Sequence, residues 1–93
     1  MELRFWTDAE TGLPHIYEHG VNEEEVQQVL SRAGEEFPGT DHSRIRLGQT
    51  EAERFLRLVY APDAGGESAF VVTAYNLTPK AERAFCRRQR RKK

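Results

Sequence analysis

The sequence predicts a single α+β domain: a short N-terminal strand, two helices, a three-stranded antiparallel meander and a C-terminal basic helix. Three observations carry this reading. Residues 44–75 hold three apolar-rich runs joined by short polar turns, residues 21–33 repeat apolar side chains at helical spacing, and the last fifteen residues gather most of the positive charge. The length of 93 residues suits one domain, taken as 1–93 with a basic tail at 86–93 that is free to fray.

Each element follows from local chemistry. "LRFW" at 3–6 reads as an opening strand, with Trp6 assigned to the core. Asp8 to Pro14 is turn chemistry, and Pro14 suits the first turn of a short helix over roughly 14–19 that Gly20 ends. Asn22 is a strong N-cap for the next helix, Glu25 completes a capping box, and Val21 with Val26 forms a hydrophobic staple. Val26, Val29, Leu30 and Ala33 then mark one buried face, and Gly34 stops the helix. Residues 35–43, with Pro38 and Gly39, read as loop. "RIRLGQT" at 44–50 alternates, with Ile45 and Leu47 opposed to Arg44 and Arg46. "RFLRLVYA" at 54–61 and "SAFVVTAY" at 68–75 complete the meander, and the last run is apolar enough to be an inner strand. Thr78-Pro79 is an N-cap with proline at the first helical position, opening a final helix to about residue 90.

Composition narrows the setting. No apolar segment is long enough to span a membrane, and "MELRFWTDAE" carries acids where a signal peptide needs an apolar stretch. Cys86 is the single cysteine and cannot form an internal disulfide, so a reducing, cytoplasmic location is expected, with Cys86 a bystander on the last helix. Charge is divided unevenly. Residues 1–78 carry six Arg and no Lys against fourteen acids, whereas residues 79–93 carry eight Lys and Arg against one Glu. An acidic body with a basic end suggests contact with a polyanion, or with an acidic protein surface.

"HIYEH" at 15–19 matches H-x-x-E-H, the ligand pattern of inverted zinc proteases. A zinc hydrolase needs a third protein ligand, and nothing in the spacing of His42, Glu67 or Glu82 selects one. The match therefore reads as chance, and no metal or other cofactor is expected.

The motif order resembles the RelE/ParE-like toxin superfamily. "FWTDAETGLPHIYEHGVNEEEVQQVL" resembles the start of BrnT-type toxins, with His19-Gly20-Val21 leading into an acid-capped helix. "RLGQTEAERFLRLVY" is similar to their hairpin and "FVVTAYNLTPKAERAF" to their last strand and helix; a related group of uncharacterised domains shares the first two features. The resemblance implies a RelE/ParE-like fold and a metal-independent, sequence-relaxed endoribonuclease, neutralised by a ribbon-helix-helix antitoxin. In such chemistry a positioned group helps the ribose 2′-OH attack the adjacent phosphate while cations stabilise the developing charge. Mapped onto this chain, Arg46, Arg57, Lys80 and Arg83 would bind or neutralise phosphate, and His42 would act as acid or base. Tyr75 would stack on a base, and Arg87, Arg90 and Arg91 would extend the RNA contact. RNA is the expected partner, with a homodimer also allowed. The alternative is a non-catalytic module that binds nucleic acid or protein. The chain departs from the toxins at Asn76-Leu77, where they carry basic residues.

Overall fold

A computed structural model describes residues 2–91. Its centre is a five-stranded mixed sheet of β1 (Glu2–Phe5), β2 (Glu35–Pro38), β3 (Arg44–Gln49), β4 (Phe55–Pro62) and β5 (Ser68–Asn76), in spatial order β1-β5-β4-β3-β2. β1 pairs parallel to β5, and the remaining neighbours are antiparallel. Two α-helices accompany it, α1 (Glu23–Ser31) and α2 (Pro79–Arg91), with a 3-10 turn at His15–His19. Among the described residues no helix is long and apolar enough to cross a membrane.

This corrects the expected arrangement of a three-stranded meander behind two helices. Residues 35–38, expected as loop, form edge strand β2, and the short first helix is a 3-10 turn. Glutamate and proline are poor strand formers, so "EEFP" carries no strand signal of its own. An edge position tolerates both, because proline's missing N–H can face away from the sheet and charges belong there. What holds β2 is tertiary: Arg44 Nε and Arg46 Nη1 reach the Glu36 carboxylate at 3.3 and 3.4 Å, and Arg88 Nε and Nη2 grip Glu35 at 2.6 and 2.7 Å.

The α1 N-terminus forms as its residues dictate. Glu25 N–H donates to Asn22 Oδ1 at 2.9 Å and Asn22 N–H donates to Glu25 Oε1 at 3.1 Å, closing the capping box. The helix ends at Ser31, short of Gly34. Val26 and Val29 are fully buried and meet Ile16, Val21, Leu56, Leu58, Val71 and Ala74 in the core. That core lies on one face of the sheet only. Along β4, Leu56, Leu58 and Tyr60 are buried beneath α1 and the 3-10 turn, while the alternate residues Phe55, Arg57 and Val59 are half-buried on the other face. α2 crosses one end of that second face, with Phe85 edge-on to Phe55 at 6.0 Å between ring centroids. Pairing between β4 and β5 shifts at Val59/Tyr60, which leaves Val72 as an extra residue in β5. β5 is an inner strand, as expected, but its second face stays half-open.

The corner at His19-Gly20-Val21 is fixed by one arginine. Arg54 Nη1 donates to the Gly20 carbonyl at 2.7 Å and to both Glu25 oxygens at 3.0 Å, Nη2 donates to the His19 carbonyl at 3.3 Å, and Nε donates to Asn76 Oδ1 at 2.7 Å. A single guanidinium thus ties the 3-10 turn, the cap of α1 and the end of β5. Its fork geometry is what permits several simultaneous acceptors.

Close approach of α1 to β3 depends on Gly48, where a Cβ would sit 2.8 Å from Val29 Cγ1. Val29 is fully buried and β-branched, so it has little rotamer freedom to yield. Gly48→Ala is expected to cost about 1–3 kcal/mol in urea unfolding at unchanged m-value; a loss within measurement error would mean that α1 does not sit this tightly on the sheet.

Candidate functional site

The residues expected to act together are distributed over both faces of the sheet. Arg46 pairs across the ladder with Leu58, whereas Arg57 pairs with Leu47, so their side chains leave on opposite faces. Arg46 lies on the α1 side and is occupied there: Nη1 meets Glu36 and Nη2 donates to the Arg32 carbonyl at 2.6 Å. His42 sits at the tip of the β2–β3 hairpin, exposed and in the left-handed region at φ 64°, as is Asp41 at φ 52°. Histidine is among the few non-glycine residues that tolerate this geometry, so its turn role explains it. His42 lies before Arg44, the first residue of β3, and Leu47, the residue opposite Arg57, is three strand positions beyond Arg44, a span on the order of 10 Å along the strand alone. His42, Arg46 and Arg57 therefore do not converge on one phosphate.

The cations of α2 also point away from the sheet. Phe85 is its buried residue. At about 100° per residue, Lys80, Arg83, Arg87, Arg90 and Arg91 all project within roughly 60° of the direction opposite Phe85. All five are exposed, and among the described residues none of them forms an ion pair. Arg88 is the exception in this segment, turned inward onto Glu35, whose hydrogen bonds raise the Arg88 pKa further. The last two residues of the basic tail, Lys92 and Lys93, lie outside the described residues.

Arg57 and Tyr75 do come together. They are direct cross-strand partners on the open face. With Asn76, Leu77, Thr78 and Ala81 they line a hollow of about 240 Å³ where β5 passes into α2. Thr78 caps α2 there, its Oγ1 accepting from the Ala81 N–H at 3.2 Å. Arg57 also lies over the Phe37 ring, 5.9 Å from its centroid, a cation–π distance. Its Nε is buried without a hydrogen-bond partner.

Tyr75 is in turn the inner end of a row of rings that sequence reasoning did not assemble. Successive centroid separations from Trp6 to His15, His15 to His19 and His19 to Tyr75 are 6.3, 5.2 and 5.8 Å. With Arg57 and Phe37 continuing the line, aromatic and planar groups cross the sheet from the β1 edge to the β2 edge. Trp6, expected in the core, is 53% exposed, and Phe37 is 37% exposed. The correction for Trp6 has a simple cause: the residue follows β1 on the side away from α1, where no helix covers it. A signal was present in the sequence, since alternation from Leu3 and Phe5 inward places Arg4 and Trp6 outward.

On the opposite face, Tyr60, Glu36, Arg44 and Arg46 form a closed polar cluster. Tyr60 donates its hydroxyl to Glu36. Burial alone would raise the Glu36 pKa, but the Tyr60 hydrogen bond and the two guanidiniums outweigh it and lower it. Burial, then the bond to Glu36, pushes the Tyr60 phenol up to about 12. This cluster braces the β2 edge and is closed to ligands by its own partners.

Because the Tyr60 proton is held more tightly in the folded state than in the unfolded chain, its stabilising contribution is complete below the ordinary tyrosine range near pH 10 and is lost as pH rises towards about 12. Ultraviolet titration of the folded protein is expected to show one tyrosine ionising last, and Tyr60→Phe should delete that step. Persistence of the late step in the variant would contradict the assignment. No protein-family model, curated protein or solved structure matches the chain, and its function has to be read from its own geometry.

Proposed function

We propose that the protein is a non-catalytic module that binds single-stranded nucleic acid on the sheet face opposite α1, with RNA as the ligand class that the toxin resemblance implies. The observation that carries this is the ring row Trp6–His15–His19–Tyr75 running into Arg57 and Phe37 beside a helix whose outer face is cationic. Stacking on aromatic side chains is tolerant of base identity, because every base offers a π-face, and basic residues track the backbone. Tyr75 and Arg57 sit where the two features meet. A base stacked at Tyr75 would leave its phosphates directed towards Thr78 and the first turn of α2, where Lys80 begins the cationic stripe.

The acidic body favours a defined approach. Glu23, Glu24 and Glu25 lie in the α1 layer, and the unpaired cations lie in α2 on the far side of the sheet. A polyanion is steered to one face and repelled from the other. Cleavage and pairing with a ribbon-helix-helix antitoxin rest on the resemblance alone. Cleavage by a toxin-type mechanism would need an acid or base beside the bound phosphate; His42, expected in that role, lies beyond the far end of β3, and His19, which does stand beside Tyr75, is packed ring against ring in the row.

The test is binding of an unstructured RNA oligonucleotide, followed by fluorescence anisotropy over a range of salt, with the RNA checked for integrity in the presence of chelator. Affinity should fall steeply with salt. Lys80→Ala/Arg83→Ala/Arg87→Ala should flatten the logarithmic salt slope by about 2, since each phosphate contact on a single strand contributes about 0.7. Tyr75→Leu should weaken binding by about 1–3 kcal/mol and leave the slope unchanged. Binding with the same slope in the triple variant would refute the role of α2, and cut RNA would restore the ribonuclease reading in place of the non-catalytic one.

A further inference from the structure

The H-x-x-E-H stretch lends His15 and His19 to the ring row but leaves Glu18, with Asp8 before it, without a part in the nucleic-acid reading. The segment is a 3-10 turn, with three residues per turn, so positions i and i+3 eclipse one another. His15 is therefore aligned with Glu18, while His19 packs edge-on against the His15 ring at 5.2 Å between centroids and stays outside the ligand group. The chain before the turn supplies a third group. Asp8 opens a tight loop in which its N–H donates to the Leu13 carbonyl at 3.0 Å and its carbonyl accepts from the Gly12 N–H at 2.8 Å. A bridge between Thr7 and Pro14 returns the chain to the 3-10 turn. That fold-back lays the Asp8 carboxylate against His15.

One ring nitrogen then faces two carboxylates. His15 Nδ1 is 3.1 Å from both Asp8 oxygens and 3.6 Å from Glu18 Oε2. Ligating atoms of the three residues all lie within 4.8 Å of one another. Among the described residues neither acid pairs with a lysine or an arginine. A single N–H can serve one carboxylate well, so the second lacks a cation of its own. The spacing from Nδ1 to the two carboxylates is compatible with a shared metal. Nitrogen and oxygen ligands about 2.0–2.2 Å from a tetrahedral ion stand roughly 3.3–3.5 Å apart along the tetrahedron's edges. The observed 3.1 and 3.6 Å bracket that value. Asp8 and His15 also line a hollow of about 250 Å³ with Trp6, Val72 and Thr73, which leaves room for a further ligand.

We propose that Asp8, His15 and Glu18 form a binding site for a first-row divalent transition ion such as Zn²⁺ or Co²⁺. One imidazole with two carboxylates suits such borderline ions better than Mg²⁺ or Ca²⁺, which prefer oxygen alone. The ion would pin the loop at residues 8–14 to the 3-10 turn. The site shares Trp6 and His15 with the ring row, but it uses neither the cations of α2 nor Tyr75, so metal binding is measured without RNA and stands or falls apart from it.

Trp6 is the only tryptophan and its ring centroid lies 6.3 Å from that of His15, so in the absence of RNA its fluorescence reports on this site. Chelator-treated protein titrated with CoCl₂ should show saturable quenching at one equivalent, and calorimetry with ZnCl₂ should give the same stoichiometry. Asp8→Asn and Glu18→Gln keep the size of the side chains, and His15→Ala removes the shared ligand. Each should weaken binding by at least the roughly 10–100-fold that loss of a mere outer partner costs. His42→Ala and Cys86→Ser should bind as the wild type does. Absence of saturable binding, or wild-type affinity in Asp8→Asn and Glu18→Gln, would overturn the site; those two variants decide the matter should His15→Ala fail to fold, as judged by circular dichroism.

Discussion

Leu56, Leu58 and Tyr60 leave β4 on one side, Phe55, Arg57 and Val59 leave it on the other, and the two helices divide between those sides accordingly. The fully buried set takes α1, with Gly48 opening the space that Val29 fills. The mixed set is left with α2, which has one buried side chain to offer and covers only the end of the face around Phe55. Because side chains alternate strictly, Arg57 could not have joined Arg46, and Tyr75 could not have avoided Arg57. A one-residue slip in this register would exchange the contents of the two faces and bury Arg57 beneath α1.

Charge is layered by the same partition. Three acids open α1, where Glu25 is used twice, once in the capping box and once as a partner of Arg54. Four of the six arginines of the body are neutralised locally, Arg44 and Arg46 by Glu36, Arg54 by Glu25 and Arg4 by Asp63, while Arg57 lies over the Phe37 ring. Those on the outer face of α2 are left unneutralised among the described residues. The small net charge of −1 thus conceals a cationic stripe along the outer face of α2. Exposed pairs contribute little stability singly; their effect here is to determine which arginines are free.

Individual elements were legible from local chemistry, although their arrangement in a five-stranded mixed sheet was not. The capping box at Asn22 and Glu25, the proline start of α2 and the alternation of the three long strands all depend on residues close in sequence, and the structure has them. β2 was not legible, because "EEFP" becomes a strand only once Arg44, Arg46 and Arg88 arrive from elsewhere in the chain. The site was legible in part. Tyr75 and Arg57 were named without the register that makes them partners, while Arg46 was grouped with Arg57 although an odd number of positions and a hairpin set their faces apart. Trp6 was misplaced by hydrophobicity alone, against the alternation of its own strand. The Asp8–His15–Glu18 group was obscured because a helical repeat of 3.6 was assumed where the turn has a repeat of 3.

The central claim is that one side of the molecule, and not the other, meets the polyanion. Amide chemical-shift mapping during titration with an unstructured RNA oligonucleotide tests it most directly. The account predicts shifts confined to the outer strand positions around Arg57 and Tyr75, the 3-10 turn next to them and the length of α2, with the buried face of α1 silent. Shifts concentrated on α1 and the β2–β3 hairpin tip, or a uniform response across both faces, would contradict it.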